Sequence, residues 1–224
     1  MSEARQSVLS DIRNALLKKA SDDARAKAVA ERLRGRPTGI IPKRGQLKQD
    51  ARVALFAEMA TKVHSSVTRV RSYDEIPSCI GNYLREHNLP AELIMGTDRR
   101  LNKADWSREK NLTIKKGPSD GQDLVGVSHA KSGIAETGTL LLASGCENPT
   151  TINFLADHHI VIISAKDIKG DMESAWGSLT KKDGQVVMPR AVNFVTGPSR
   201  SGDIEQKLLL GAHGPRALQI IIVG

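Results

Sequence analysis

The sequence predicts an α/β protein: one domain over about residues 46–224, folded as a Rossmann-like three-layer sandwich, preceded by a helical arm and basic linker over residues 1–45. Three observations carry this. Short apolar strand-like runs alternate with amphipathic helical stretches from Gln46 onward. The chain closes on Val192–Gly224, which reads strand, glycine-rich turn, short helix, glycine-rich turn, strand. Before Gly35 the periodicity is helical only, and Gly35–Gly45 (GRPTGIIPKRG) is a proline- and glycine-rich linker with basic side chains.

Taken in order, Ser7–Arg34 reads as helix. Val8, Ile12, Ala15 and Leu16, then Ala26, Val29, Ala30 and Leu33, give a narrow apolar stripe, with a break at Ser21-Asp22-Asp23 where Ser21 or Asp22 could cap a second helix. Such a helix docks on its own domain or on a second subunit, so a homo-oligomer is one expectation. Gln46–Val63 is a helix whose inner side is Leu47, Val53, Phe56, Ala57, Ala60 and Val63. Ser66–Val70 is a strand. Tyr73-Asp74-Glu75-Ile76 opens a helix reaching about Asn88, with acids in its first turn where the positive dipole end favours them. Glu92–Gly96 is a strand, Thr97–Lys110 is polar, and Leu112–Lys115 is a weak strand. Leu124–Val127 and Thr139–Ala143 are strands flanking Ala135-Glu136-Thr137-Gly138. Asn148-Pro149-Thr150-Thr151 starts a short helix, Ile160–Ser164 is a buried strand, and Ala165–Leu179 reads as helix despite Gly170. Gly184–Met188 is a small hairpin element. In the closing unit, Asp203 and Glu205 occupy the first turn of a helix with Leu208, Leu209 and Leu210 as its buried face and Gly211 as its cap. Leu218–Val223 is a strand covered on both faces.

The net charge is +8, and residues 1–50 hold 12 Lys and Arg against 6 Asp and Glu, so the basicity belongs mostly to the arm. Aromatic residues make up 3% of the chain, which disfavours base stacking, and no nucleic-acid partner is expected. Cys79 and Cys146 stand far apart and no CxxC occurs, so the chain is expected to bind no iron–sulfur cluster or structural zinc. Of the six histidines only His158 and His159 are adjacent, and neighbours on a strand face opposite ways. GxGxxG, GKS/T and GxSxG fingerprints are lacking. No signal-peptide pattern and no bilayer-spanning apolar run are present, so a cytoplasmic location is expected.

Two places carry polar groups beyond what a turn needs. Ser199, Arg200, Ser201 and Gly202 at a helix start would offer backbone N–H groups and a guanidinium fork to a carboxylate or phosphate. The bland alternative is a serine cap with Arg200 paired to Asp203 or Glu205. His213 and Arg216, in the turn before the last strand, could join that site, although a loop after one parallel strand and a loop before another lie at opposite sheet ends. Glu136 sits in an apolar stretch beside Thr137 and Gly138, where a carboxylate must be paired, hydrogen-bonded or at an opening. Its structural reading is a salt bridge to Arg200 or Arg216. His129 and Lys131, just before it, could act as base and anion partner, but such residues in a polar loop are more often solvated.

The segment GPSRSGDIEQKLLLGAHGPRALQIIIV resembles the C-terminal signature of the lactate utilization protein C family (LutC; the LUD domain), Ala135–Thr139 resembles its second signature, and Val8–Leu16 its opening helix. Ser201-Gly202 departs from the Thr-Ala expected there. The resemblance implies a fold related to that shared by ribose-5-phosphate isomerase, glucosamine-phosphate deaminase and CoA transferases (NagB/RpiA/CoA transferase-like). It also implies a component of L-lactate oxidation to pyruvate, an accessory or substrate-handling subunit acting with iron–sulfur partner proteins. The alternative is an independent enzyme of the isomerase/CoA-transferase type with Glu136 as its catalytic carboxylate.

Overall fold

The computed structural model describes residues 3–17, 22–35, 39–179, 188–204 and 207–224, with the backbone alone at 17, 22, 201–204 and 207–210. The chain divides into two compact units, residues 1–40 and 41–224. In the first, α1 (Glu3–Leu17) and α2 (Asp22–Gly35) bear the expected stripe, and its apolar members stay exposed, from Ile12 at 49% to Leu33 at 73%. The guanidinium of Arg25 donates to the carbonyl of Leu16 at 3.2 Å. Of the break expected at Ser21-Asp22-Asp23, Ser21 lies outside the described residues and α2 begins at Asp22.

In the second unit a single 3-10 turn, Lys43–Gly45, leads to α3 (Gln49–Lys62), which buries Val53, Phe56 and Ala60; Leu47 precedes the helix and is 38% exposed. Then come β1 (Ser66–Val70), α4 (Ile76–Glu86), β2 (Glu92–Met95), β3 (Thr113–Lys116), β4 (Val125–His129), β5 (Ser132–Ile134), β6 (Thr139–Ala143), α5 (Thr150–Leu155) and β7 (His158–Ser164). The chain continues through β8 (Ile168–Lys169), α6 (Met172–Gly177), β9 (Val192–Val195), β10 (Arg200–Ile204), β11 (Lys207–Leu210) and β12 (Ala217–Val223).

Six strands form a wholly parallel sheet in the order β1-β12-β7-β4-β2-β3. Buried parallel strands need apolar residues on both faces, and β12 supplies them: Ile221 and Val223 pack with α4, while Leu218, Ile220 and Ile222 pack with α3. The α4 side is covered by Ile76, Ile80, Tyr83 and Leu84. The other face carries α3 and a second, four-stranded sheet, β8-β5-β6-β9. Along β6, Leu140 and Leu142 face the central sheet, whereas Leu141 points outward with Ile134 to meet Ala175 of α6. The fold is α/β, as expected, with a sheet sharing one of its outer layers.

Of two helices expected from sequence, one is reduced to its later part and the other is not formed. Residues 165–179 divide into a single 3-10 turn (Ala165–Asp167), β8 and α6. The reason is Gly170: a Cβ there would lie 2.2 Å from the Gly45 carbonyl oxygen, so two backbones meet where a helix would need side-chain room. Asp171 then starts α6 by accepting from the Ser174 N–H at 2.8 Å. The helix expected after Asp203 is instead the antiparallel hairpin β10–β11, with Arg200 opposite Leu210 and Ser201 opposite Leu209. Gly202 weakens a helix that would span only two turns, and Leu208–Leu210 suits a strand equally well. Glu205 and the hairpin expected at Gly184–Met188 fall outside the described residues, Met188 excepted.

Candidate functional site

Strand β2 connects outward to β3, whereas β4 connects the opposite way to β7, so the winding reverses between β2 and β4. Beyond the carboxyl ends of strands, such a reversal leaves a crevice where open α/β sheets hold ligands. The chain fills its rim with polar residues. Asp98 and Arg100 follow β2, His129 ends β4 with Lys131 just after it, Tyr73 follows β1, and Lys166 and Asp167 follow β7. Two adjoining cavities open here. One of about 610 Å3 is lined by Tyr73, Arg100, Lys103, Lys131, Lys166 and Asp167 among others. The second, about 470 Å3, includes Asp98, Arg100, His129, Lys131, Cys146 and Asn148. Arg100 and Lys131 belong to both.

Asp98 is the fixed point of this rim. It is 4% exposed and accepts from the Arg100 backbone N–H (2.9 Å), from Arg100 Nε (3.0 Å) and Nη2 (2.6 Å), and from Asn148 Nδ2 (2.9 Å). Burial would raise its pKa; the Arg100 and Asn148 hydrogen bonds outweigh that and hold the carboxyl well below the usual carboxylate range. Arg100 Nη1 also donates to the Ala130 carbonyl at 2.9 Å, tying the β2 loop to the β4 loop.

His129 is 2% exposed. Its Nδ1 lies 2.8 Å from the Ala130 carbonyl, an acceptor only, so Nδ1 carries the proton and Nε2 accepts from the Tyr73 hydroxyl at 2.8 Å. Burial and the nearby Arg100 charge bring its pKa down to about 4, and burial raises that of Tyr73. Both groups are therefore neutral at pH 7. Tyr73 faces the larger cavity and His129 the smaller, so their hydrogen bond crosses the wall between them. The Lys103 ammonium lies 5.3 Å from the Tyr73 ring centroid. The larger cavity sets Lys103, Lys131, Lys166 and Lys169 against Asp167, whereas the smaller sets Arg100 and Lys131 against Asp98 and Glu147.

Apart from His129 and Lys131, the residues singled out from sequence lie elsewhere. Glu136 is buried; its N–H donates to the Gly170 carbonyl at 3.2 Å, and Oε2 is 3.8 Å from Arg44 Nε with no hydrogen-bond partner. Its ion pair is thus with Arg44 and not with Arg200 or Arg216. Thr137 Oγ1 is bonded to Thr139 Oγ1 at 2.7 Å. Gly138 (φ 67°) packs on the backbone of α3: a Cβ there would sit 2.3 Å from the Ala60 nitrogen. Ser199 meets the turn before β12, donating its N–H to the Pro215 carbonyl (2.8 Å) and accepting from the Gly211 N–H (3.2 Å) and, at Oγ, from the His213 N–H (3.4 Å). The two loops do meet, because β9 belongs to the second sheet and the β10–β11 hairpin returns the chain. Arg216 pairs with Asp157 at 3.1 Å beside the first residues of β7 and β12, the amino edge of the parallel sheet. Arg200 is exposed on β10, and of Ser201 only the backbone is described. With no helix after Ser201, the helix-dipole argument for an anion there fails. Neither Glu136 nor any of these C-terminal residues lines the two cavities. Sequence reasoning passed over Tyr73, Asp98, Arg100 and Lys103. The available signal was their position just after apolar strands, Tyr73 at the opening of an expected helix and the other three within a stretch read merely as polar.

Fold and site together define an α/β protein with two adjoining polar cavities at the reversal point of a parallel sheet. The chain belongs to the LUD domain family, whose model matches residues 53–223. It is 28% identical over 189 residues to lactate utilization protein C of Halalkalibacterium halodurans, covering 77% of this chain and 80% of that one. With lactate utilization protein C of Geobacillus thermodenitrificans the identity is 36% over 100 residues, 44% of this chain and 42% of that one. A crystal structure of a DUF162 family protein from Deinococcus radiodurans superposes with a TM-score of 0.59 at 17% identity, covering 80% of this chain and 99% of that one, and shares its fold. Among the described residues, no helix is long and apolar enough to cross a membrane.

Proposed function

We propose that this protein serves lactate utilization as a substrate-handling subunit that holds a small carboxylate, lactate or pyruvate, in the smaller cavity while iron–sulfur partner proteins carry the electrons. The relatives named lactate utilization protein C support the pathway. The observation that carries the site is the convergence of Arg100, His129 and Lys131 at the sheet's reversal point. Each has a separate task. Arg100 is bound to Asp98 and shapes the wall. His129, kept neutral, adds no charge of its own to the cavity wall. Lys131 is exposed, its backbone N–H fixed to the Leu141 carbonyl at 2.8 Å, so its ammonium is free to meet a carboxylate. In this reading Glu136 is structural, since it lines neither cavity.

Calorimetric titration with L-lactate and pyruvate tests this. Lys131→Gln removes one charged contact, about 1.5–3 kcal/mol, so affinity should fall roughly ten- to a hundredfold with the fold intact. Unchanged affinity in the variant, or no binding by the parent chain, rejects the site. Failure of iron–sulfur proteins to co-purify with the chain from lactate-grown cells rejects the partnership.

A further inference from the structure

The larger cavity has more room than a three-carbon acid fills, and its charge is out of proportion to one carboxylate. Lys103 follows β2, Lys131 follows β4, Lys166 follows β7, and Lys169 ends β8, so four lysines line the cavity from four separate segments, the Lys169 ammonium also donating to the Lys166 carbonyl at 3.5 Å. The carboxylate lining the same space is Asp167. Arg100 adds no net charge, because Asp98 matches it at 2.6 Å. Among the described residues none of the four lysines forms an ion pair, and Glu147, which lines the adjoining cavity, is paired with Arg99. Like charges gathered without carboxylate partners repel one another, and an anion of matching charge removes that repulsion. A monocarboxylate balances one lysine. A phosphate ester or diphosphate, with two or more charges over several oxygens, balances the group, and lysine's mobile point charge suits phosphate oxygens. Ser178 also lines the cavity, and its Oγ is buried with no hydrogen-bond partner. The Tyr73 hydroxyl, whose proton goes to His129, keeps lone pairs for a ligand hydroxyl.

We infer that the larger cavity is a binding site for a small phosphorylated compound, distinct from the carboxylate site in the adjoining cavity and meeting it at Lys131. The two sites are separable because Lys166 and Lys169 line only the larger one.

The test titrates the whole chain with pyrophosphate and, in parallel, with L-lactate. In Lys166→Gln/Lys169→Gln the pyrophosphate affinity should fall about a hundredfold, roughly a decade for each ammonium, with L-lactate affinity unchanged. Asp167→Asn, which removes the opposing carboxylate, should tighten pyrophosphate several-fold. A control pair outside the cavity, Lys62→Gln/Lys110→Gln, should leave it unaltered. Equal weakening in the control pair would show diffuse surface charge and overturn the site. So would pyrophosphate affinity unaffected in the Lys166/Lys169 variant, or no pyrophosphate binding by a parent chain that still binds L-lactate. Loss of L-lactate binding alone would count against the carboxylate site and leave this one standing.

Discussion

Replacing Asp98 by Asn changes one atom type at the point where the β2 and β4 loops are joined. The carboxylate accepts four donors: the Arg100 N–H, Nε and Nη2, and Asn148 Nδ2. Arg100 Nη2 and Asn148 Nδ2 both point at Oδ2. An amide of the same shape keeps one accepting oxygen and turns the other position into a donor, so one cluster of contacts becomes donor against donor. Breaking a buried ion pair from one side costs about 3–5 kcal/mol, because the remaining charge is left without its partner. The Arg100 side chain is 29% exposed, and water reclaims part of that loss, which places the expected destabilisation at about 2–3 kcal/mol. Urea unfolding at pH 7 measures it as a lower midpoint at unchanged slope. The pH dependence adds a second reading. Asp98 is held below the usual carboxylate range, so its contribution is present above the unfolded pKa and is lost as pH falls toward the folded one. The gap between parent and variant should therefore be full at pH 6–7 and narrow below about pH 4. A gap under about 0.5 kcal/mol at pH 7, the range of ordinary surface substitutions, would refute the role assigned to this pair.

Two further outcomes follow from the same packing. His129 and His159 have their pKa values brought down by burial to about 4 and about 3, below the unfolded value near 6.5. The unfolded chain then binds more protons, so stability should fall from about pH 6.5 downward, by up to roughly 1.4 kcal/mol per pH unit for each histidine; a flat stability profile between pH 7 and 5 contradicts this. Gly138→Ala puts a methyl 2.3 Å from the Ala60 nitrogen at a φ of 67°, and α3 must shift. The expected loss is at least about 2 kcal/mol in denaturant unfolding, combining left-handed strain with overpacking, and a melt equal to the parent's speaks against the close approach.

The sequence by itself determined the α/β class, because the apolar pattern of each strand is local and a parallel sheet needs both faces filled. Leu218–Val223 is the clearest instance: its unbroken apolar run is legible residue by residue, and it lies between β1 and β7 with core on either side. The opposed faces of His158 and His159 were legible for the same reason; one bonds Tyr83 and the other Ser128. Tertiary structure alone decided the rest. Residues 200–210 carry a pattern that serves a short helix or a strand pair, and the antiparallel pairing of β10 with β11 selected the latter. Gly170 breaks a helix only because Gly45, 125 positions earlier, presses its backbone against it. The cavity is the strongest case. Tyr73, Asp98, Arg100, His129 and Lys131 are ordinary polar loop residues in one dimension, and no spacing links them. They become neighbours because parallel strands deliver every carboxyl end to one edge of the sheet, and because the winding reverses between β2 and β4.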